Sequence, residues 1–304
     1  MNLHEDVKLF TQFYEDTAKS LNLEDAGMVE KDYFVTYFLQ KIVEKQPGVI
    51  FKGGTSLSKC HKIIDRFSED IDLNVNAEGA KLTEGQRKRL KQDVVSIIDE
   101  SGFSLENPDH VRSRRDFNRY IIDYHSSAAK PYLKQFLIVE TAVYIRSFPT
   151  KMMQVTSLIH DFFKENGGDE VIKQYGMEPF SIQVQFIERT FIDKVFALAD
   201  YYLSDNIETH SRHIYDLYKL YPKIIFNDGF KELVKEVREV RKPHITCYSA
   251  KDDIDVPDLI QKIISEEIYK SDYDQITDLL LFDKIPYSEA VTVLQNILDD
   301  GCFV

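Results

Sequence analysis

The segment DIDLNVN, residues 70–76, alternates strictly between polar and apolar residues. A period of two is that of a β-strand with one face in the core and one polar face. Asp70 and Asp72 therefore project from the same face, about one pleat repeat apart. The fold must include a sheet that presents this face, and two carboxylates so placed can hold a divalent cation, for which magnesium is the expected ion.

The segment KGGTS, residues 52–56, follows the apolar run VIF at 49–51, which predicts a strand that ends at the glycines. A helix is expected from about residue 56 to residue 63, and the free backbone N–H groups of its first turn would form an anion site. Glycine also lets the backbone approach a phosphate closely. We therefore predict that a triphosphate is bound by Lys52, Gly53, Gly54, Thr55 and Ser56.

The spacing of these segments excludes two better-known motifs. A P-loop has its lysine after the glycines, whereas Lys52 precedes them. An EF-hand begins D-x-D-x-N, as residues 70–74 do, but Val75 stands where glycine is required and Lys81 where glutamate is required. The remaining alternative is a solvated strand face that carries two aspartates without a function.

A third carboxylate is the usual companion of such a pair, because the attacking hydroxyl must lose its proton or be held on the metal. Glu140, in FLIVETAV, would share a strand face with apolar residues, where an ionised group is costly unless it is paired or metal-bound. Asp123, in YIIDYH, is the competing candidate. We prefer Glu140, so that the predicted metal ligands are Asp70, Asp72 and Glu140.

The second half of the chain contains a further group of charged residues. Arg189, Asp193 and Lys194 fall close to one side of a predicted helix, and the flexible lysine could reach a phosphate. An exposed charged stripe is the alternative. Asp216 lies between aromatic residues in IYDLY, and a carboxylate there requires a cationic partner, for which Lys194 and Arg212 are the candidates.

The hydrophobic pattern predicts an α+β first part and a helical second part. Helices are expected at residues 4–20, 28–46 and 84–101, and further strands at 118–125, 135–144 and 181–186. Glycines and a proline among charges at 162–180 indicate the division, so the expected domains are 1–180 and 181–304. The helices predicted in the second part are 189–204, 211–222, 228–241, 256–270 and 286–299.

The net charge of −13 argues against a long footprint on duplex nucleic acid. The segment RSRRDFNR, residues 112–119, nevertheless holds four arginines and a phenylalanine, a combination suited to phosphate contact and base stacking. A solvated loop before a strand is the equally open alternative. No apolar run approaches the roughly 18 residues of a membrane span, and the first residues lack a signal-peptide pattern, so a cytoplasmic location without a membrane partner is expected.

Five segments occur in the order in which a known family carries them: EKDY (30–33), KGGTSLSK (52–59), RFSEDIDL (66–73), RTFIDKVFALAD (189–200) and RHIYDLYKL (212–220). With these segments, residues 28–222 resemble the AbiEii/AbiGii toxin family, the nucleotidyltransferase half of type IV toxin–antitoxin and phage-defence systems. One position departs from the family, which often carries an arginine where His213 stands. Histidine there would make the local charge depend on pH.

The resemblance implies a DNA polymerase β-like nucleotidyltransferase core with a mixed sheet, followed by an all-helical C-terminal domain that completes the active-site cleft. It implies that Asp70 and Asp72 bind magnesium and that Asp216 completes the site. The residues that it implies for nucleotide binding are Gly54, Thr55, Ser56 and Lys194, to which we add Arg66 and Ser68 of the RFSEDIDL segment.

The activity implied is magnesium-dependent nucleotidyl transfer, the EC 2.7.7 class. An acceptor hydroxyl would attack the α-phosphorus of a nucleoside triphosphate and release pyrophosphate, with one or two magnesium ions bound. Some members of the family modify the 3′ end of tRNA, so we expect an RNA acceptor, a block of translation, and a cognate antitoxin encoded nearby. Transfer to a small molecule or a protein hydroxyl, and nucleotide binding without transfer, are the alternatives.

Overall fold

The structure is a computed structural model that describes residues 2–68, 70–75, 82–113, 115–126, 128 and 136–303. The predicted positions Asn76 in a strand, Arg114 in the basic segment and Gln135 in a strand lie outside the described residues. The chain divides into two compact units. Unit 1 is Met1–Thr55, Glu69–Tyr144 and Thr150–Val184, and unit 2 is Ser56–Ser68, Ile145–Pro149 and Gln185–Val304. The domain bounds 1–180 and 181–304 stay a prediction.

A mixed sheet is the framework of unit 1. Over the described residues its strands are β1 (Val49–Lys52), β2 (Asp70–Val75), β3 (Ser104–Leu105), β4 (Phe117–Asp123), β5 (Phe136–Ala142), β6 (Thr150–Val155) and β7 (Phe180–Gln185). Their order is β3-β4-β5-β2-β1-β7-β6. Strand β2 is antiparallel to β1 and parallel to β5, and β5 is antiparallel to β4. The predicted α+β class with a mixed sheet is therefore confirmed.

The helices of the first part are α1 (Val7–Ser20), α2 (Gly27–Lys45), α3 (Gly53–Lys59), α4 (Glu84–Glu100), α5 (Leu158–Glu165) and α6 (Asp169–Gln174). Helix α2 is buried on most of its circumference, because it contacts α1, α4, α5 and β5. Aromatic rings fill this core, such as Phe34 and Tyr124, whose centroids are 4.6 Å apart. Helix α4 begins with a capping box between Thr83 and Gln86, as its sequence favours.

Two parts of the sequence-based assignment are wrong. Helix α3 begins at Gly53 and ends at Lys59, so the glycines form its first turn rather than precede it. The segment 162–180, for which no helix was predicted, contains the end of α5 and all of α6. Its glycines end short helices: Gly167 and Gly176 have φ values of 73° and 62°, which glycine adopts without strain. Strand β6 was not predicted.

Unit 2 is helical from residue 187 onward, as predicted. Its helices are α7 (Ile187–Leu203), α8 (Arg212–Leu220), α9 (Asp228–Arg241), α10 (Val256–Ser265), α11 (Lys270–Asp272), α12 (Asp278–Leu280), α13 (Tyr287–Ala290) and α14 (Thr292–Asp300). One apolar core joins them and includes the fully buried Phe191, Tyr215 and Tyr269. Among the described residues, no helix is long and apolar enough to cross a membrane.

A buried ionic network ties α7 to α9 in unit 2. Arg241 donates from Nη2 to Asp200 Oδ2 over 2.6 Å and from Nη1 to Asp193 Oδ1 over 3.3 Å. The other oxygen of Asp200 accepts from the backbone N–H and the hydroxyl of Ser249, each over 2.7 Å. Because Arg241 and Asp200 are buried together, the loss of either partner would leave a buried charge with weaker compensation.

We predict that Asp200→Ala lowers the free energy of unfolding by about 3–5 kcal/mol, because it leaves the buried Arg241 with the longer pair to Asp193 and removes the acceptor of the Ser249 hydrogen bonds. Urea denaturation measures the change. The matched control is Asp252→Ala, which removes an exposed partner of Lys242 and is expected to lower the free energy of unfolding far less. Equal losses in the two variants would contradict the structural role of the buried network.

Candidate functional site

Four charged residues lie side by side across four neighbouring strands of unit 1. The register pairs Lys52 with Asp72, Asp72 with Glu140, and Glu140 with Arg119. Side chains of register partners project from the same face of a sheet. We call Lys52, Asp72, Glu140 and Arg119 the charged row. Asp70 precedes Asp72 by two residues and extends the acidic part of the row on the same face.

The sheet thus brings together the carboxylates that the sequence analysis assigned to the metal. Glu140 is the register partner of Asp72, whereas Asp123 is the partner of Phe136 at the far end of β4. Asp123 also accepts from the backbone N–H of His125 over 2.7 Å. The register therefore favours Glu140 over Asp123 as the third carboxylate. Arg119 was noted in the basic segment but not as a neighbour of the carboxylates, because register is not visible in the sequence.

The carboxylates of the charged row repel one another. Burial, followed by the negative charges of Asp72 and Asp70, raises the pKa of Glu140 to about 7 against the opposing effect of Arg119 and Lys52. The ion pair between Arg119 Nε and Glu140 Oε1 is long at 3.7 Å, and the Arg119 side chain is 48% exposed. Such an exposed pair contributes little, so Glu140 is only weakly compensated.

Gly53 and Thr55 hold the two aspartates in place. A Cβ atom on Gly53 would lie 1.9 Å from Asp72 Oδ2, and Gly53 has a φ of 75°. The hydroxyl of Thr55 donates to the backbone oxygen of Asp70 over 2.6 Å. The glycine is therefore required by the carboxylate of Asp72 as well as by the turn. The Thr55 hydroxyl, predicted to contact a nucleotide, is engaged by β2.

Carboxylate oxygens on one face are the donors that magnesium prefers, and a cation there would offset the repulsion that raises the pKa of Glu140. The close packing of Gly53 on Asp72 also fits a site built for these oxygens. Within the described part of the chain, no three Asp, Glu, His or Cys side chains converge as closely as a metal site requires. The assignment of a metal to Asp70, Asp72 and Glu140 stays a prediction.

In unit 2, Asp216 binds two cations. Arg66 donates from Nε to Oδ1 over 2.7 Å and from Nη2 to Oδ2 over 2.8 Å. Lys194 donates to Oδ2 over 2.6 Å and to His213 Nδ1 over 3.3 Å. The expected pair of Asp216 with Lys194 is present, and Arg66, 150 residues away in the sequence, is a partner that the sequence analysis did not foresee. We call Arg66, Lys194, His213 and Asp216 the Asp216 cluster.

Burial determines the charges of the Asp216 cluster. Burial alone would raise the pKa of Asp216, but Arg66 and Lys194 hold it well below its usual range. Burial lowers the pKa of His213 well below its ordinary value, and the neighbouring Lys194 lowers it further. His213 is therefore neutral, and the expectation of a pH-dependent charge there is wrong. Arg189 and Lys194 are buried, so the alternative of an exposed charged stripe on α7 is also wrong.

The predicted nucleotide-binding residues belong to both units. Unit 1 contains Lys52, Gly53, Gly54 and Thr55, and unit 2 contains Ser56, Arg66, Ser68 and Lys194. Ser56 is fully buried, and the guanidinium of Arg66 is engaged by Asp216 and by the backbone oxygen of Phe67. These contacts show that Arg66 holds Asp216 in position. A direct contact between Arg66 and a nucleotide stays a prediction.

The packing of Gly53 on Asp72 leads to a prediction about stability. Gly53→Ala is expected to lower the free energy of unfolding by about 2–4 kcal/mol, because the new methyl group meets the carboxylate in a strained backbone conformation. Gly102→Ala is the matched control, since Gly102 has a φ of 69° but open space around it, and should cost about 1–2 kcal/mol. Urea denaturation of both variants measures the difference, and equal costs would show that the contact with Asp72 is unimportant.

The raised pKa of Glu140 leads to a prediction about pH. Its folded-state pKa of about 7 exceeds the ordinary value of 4.5, so the native state keeps a proton that the unfolded chain has lost between these pH values. The stability of the wild type should therefore fall as pH rises through this window. Relative to the wild type, Glu140→Gln should gain about 2 kcal/mol of unfolding free energy between pH 5 and pH 8. Urea denaturation with EDTA tests this, and a constant difference would contradict it.

Comparison with known proteins agrees with the motifs and the fold. The solved structure of MenT4, a nucleotidyltransferase toxin from Mycobacterium tuberculosis H37Rv, is similar with a TM-score of 0.60 and 19% sequence identity, over 94% of this chain and 88% of that chain. At this identity the likeness concerns the fold. No curated protein matches the sequence. A family model described as the nucleotidyl transferase AbiEii toxin of type IV TA systems matches residues 37–295. Because that match spans most of the chain, this protein belongs to the AbiEii nucleotidyltransferase toxins of type IV toxin–antitoxin systems.

Proposed function

We propose that this toxin transfers a nucleoside monophosphate from a nucleoside triphosphate to a hydroxyl at the 3′ end of an RNA such as tRNA, and so blocks translation. The proposal rests on the charged row, because this row places two carboxylates between two cations on one sheet face. Membership of the family establishes nucleotidyl transfer as the reaction class and implies a nucleoside triphosphate substrate and a cognate antitoxin. The RNA acceptor, the metal and action in the cytoplasm are our proposals.

Asp70, Asp72 and Glu140 would hold one or two magnesium ions. When bound, magnesium lowers the pKa of an attacking hydroxyl and neutralises charge on a leaving pyrophosphate. Asp72 is held for this task by its contact with Gly53, and Asp70 by the Thr55 hydroxyl. Glu140, which has a pKa of about 7 without a cation, would lose its proton when it binds the metal.

The triphosphate would be bound by the segment from Lys52 to Ser56. Lys52 is the cation beside Asp72 in the charged row, and its charge would offset part of the charge of the phosphates. The chain enters α3 at Gly53, where glycine lets the backbone approach a phosphate closely. Arg66 and Ser68 are assigned to the same nucleotide, Arg66 through its support of Asp216.

Lys194 would contact the nucleotide phosphates, with Asp216 as its support. The carboxylate of Asp216 and the neutral ring of His213 accept from the Lys194 ammonium, so two of its three hydrogens have fixed partners. The third would be donated to a phosphate oxygen. A lysine held in this way loses little side-chain freedom on binding, which favours a tight contact.

The first test is incorporation of an α-labelled nucleoside triphosphate into total tRNA in the presence of magnesium. Asp72→Asn should reduce labelling by at least about 1,000-fold while the circular dichroism spectrum is unchanged, because it removes a carboxylate from the proposed metal site. Asp123→Asn is the matched control on β4 and should retain activity within about twofold of the wild type.

Three other outcomes would each contradict part of the proposal. Undiminished labelling by Asp72→Asn would refute the assignment of Asp72. Label that appears on protein or on a small molecule, but not on RNA, would identify another acceptor class. Consumption of triphosphate without a labelled acceptor would indicate a nucleotide-binding module that does not transfer.

A further inference from the structure

The face of the sheet that carries the charged row continues past Arg119 to an exposed aromatic residue. Phe117 lies two residues before Arg119 on β4, so it projects from the same face. Its register partner on β5 is the small Ala142, and 40% of Phe117 is exposed. An exposed phenylalanine beside a row of charges has no role in the sheet's core, and the proposed triphosphate site does not use it.

Arginines flank this exposed ring along the chain. Arg119 is half-exposed and its ion pair with Glu140 is long at 3.7 Å, so its guanidinium can turn to a phosphate at little cost. Arg112 and Arg115 are exposed in the segment that leads into β4. These positive charges lie in a chain whose net charge is −13, and they give this part of unit 1 a local attraction for phosphate.

The backbone beneath these side chains is held firmly. The buried amide of Asn118 accepts from the Arg112 N–H over 2.8 Å and donates to the Arg112 oxygen over 3.0 Å. Asn107 donates to the Arg119 oxygen over 2.9 Å and accepts from the Ile121 N–H over 3.0 Å. A platform whose backbone is fixed before binding loses little entropy when a ligand arrives.

The two ends of the charged row offer different chemistry. At the β1 end, Lys52 leads into the glycines that are proposed to bind a triphosphate. At the β4 end, Arg119 leads to Phe117, a pairing of cation and exposed ring that suits a phosphate backbone and a base. The carboxylates lie between. A transfer reaction needs the donor and the acceptor on opposite sides of the reacting centre, and the row has this arrangement.

We propose that the β4 face binds the unpaired 3′ end of the RNA acceptor, with a base stacked on Phe117 and backbone phosphates contacted by Arg119, Arg112 and Arg115. This inference deepens the proposed function and rests on it for the identity of the acceptor. Stacking is tolerant of sequence because every base has a π-face, so the surface selects an unpaired end rather than a base sequence.

Direct binding tests the proposal separately from transfer. The anisotropy of a fluorescent single-stranded RNA is measured with the full chain, without triphosphate. Phe117→Ala should weaken binding about tenfold, and Phe117→Tyr should restore it, because stacking needs only an aromatic ring. Met152→Ala is the control, since Met152 is exposed on another strand of the same sheet, and should bind as the wild type does. Unchanged binding by Phe117→Ala would overturn the proposal whatever the transfer assay shows.

The salt dependence of RNA binding tests the contacts of the arginines. The logarithm of the binding constant should fall with the logarithm of salt concentration, with a slope of about −0.7 for each phosphate contact to a single strand. The double variant Arg112→Gln/Arg115→Gln should make that slope shallower by about 1.4 if each arginine contacts one phosphate. An unchanged slope, or equal affinity for a blunt RNA duplex and a single strand, would overturn the proposal.

If the wild type labels RNA, the kinetics of transfer provide a further test. Phe117→Ala should raise KM for RNA about tenfold and leave KM for the triphosphate unchanged. An equal rise of both constants would overturn the assignment of Phe117 to the acceptor. If the wild type labels no RNA but still binds the single strand through Phe117, the transfer proposal fails and the binding surface stands.

Discussion

The charged row places carboxylates side by side on one face of a sheet, and the rest of the site must compensate for the repulsion between them. Asp72 and Glu140 are register partners, and burial together with this repulsion raises the pKa of Glu140 to about 7. The sheet tolerates this arrangement because strand pairing positions the backbone independently of the side chains, and because Lys52 and Arg119 lie at the two ends of the row. A face of this kind lowers the stability of the fold and attracts cations strongly. Carboxylates with perturbed pKa values are typical of functional sites.

The Asp216 cluster shows the opposite electrostatic solution. Here two cations share one carboxylate in the interior of unit 2, and each oxygen of Asp216 accepts at least one hydrogen bond. Desolvation opposes such a cluster, so its net contribution to stability is small, but the loss of one member would be costly. His213 completes it as a neutral acceptor, a role that an arginine in the same position could not fill, since arginine has no acceptor atom.

Local patterns predicted most elements of the fold but not all of them. The alternation of DIDL predicted β2, and three- and four-residue spacing predicted helices α1, α2, α4, α7, α8 and α9 close to their bounds. Strand β6, of sequence TKMMQV, was missed because it has no alternating pattern, and its place in the sheet follows from its neighbour β7. Helix α6 was missed because glycines that end helices were interpreted as a division between domains.

The sequence by itself determined the local features that point to the chemistry of this protein: a pair of glycines after a strand, two aspartates on one strand face, and motifs sufficient to identify the family. Those features depend on neighbours in the chain, whose geometry follows from helix and strand periodicity. Only the tertiary structure decided that Glu140 rather than Asp123 lies beside Asp72, that Arg119 ends the charged row, and that Arg66 holds Asp216. The reason is physical: strand register and buried ion pairs join residues that are far apart in the chain, and local periodicity carries no information about which of them meet.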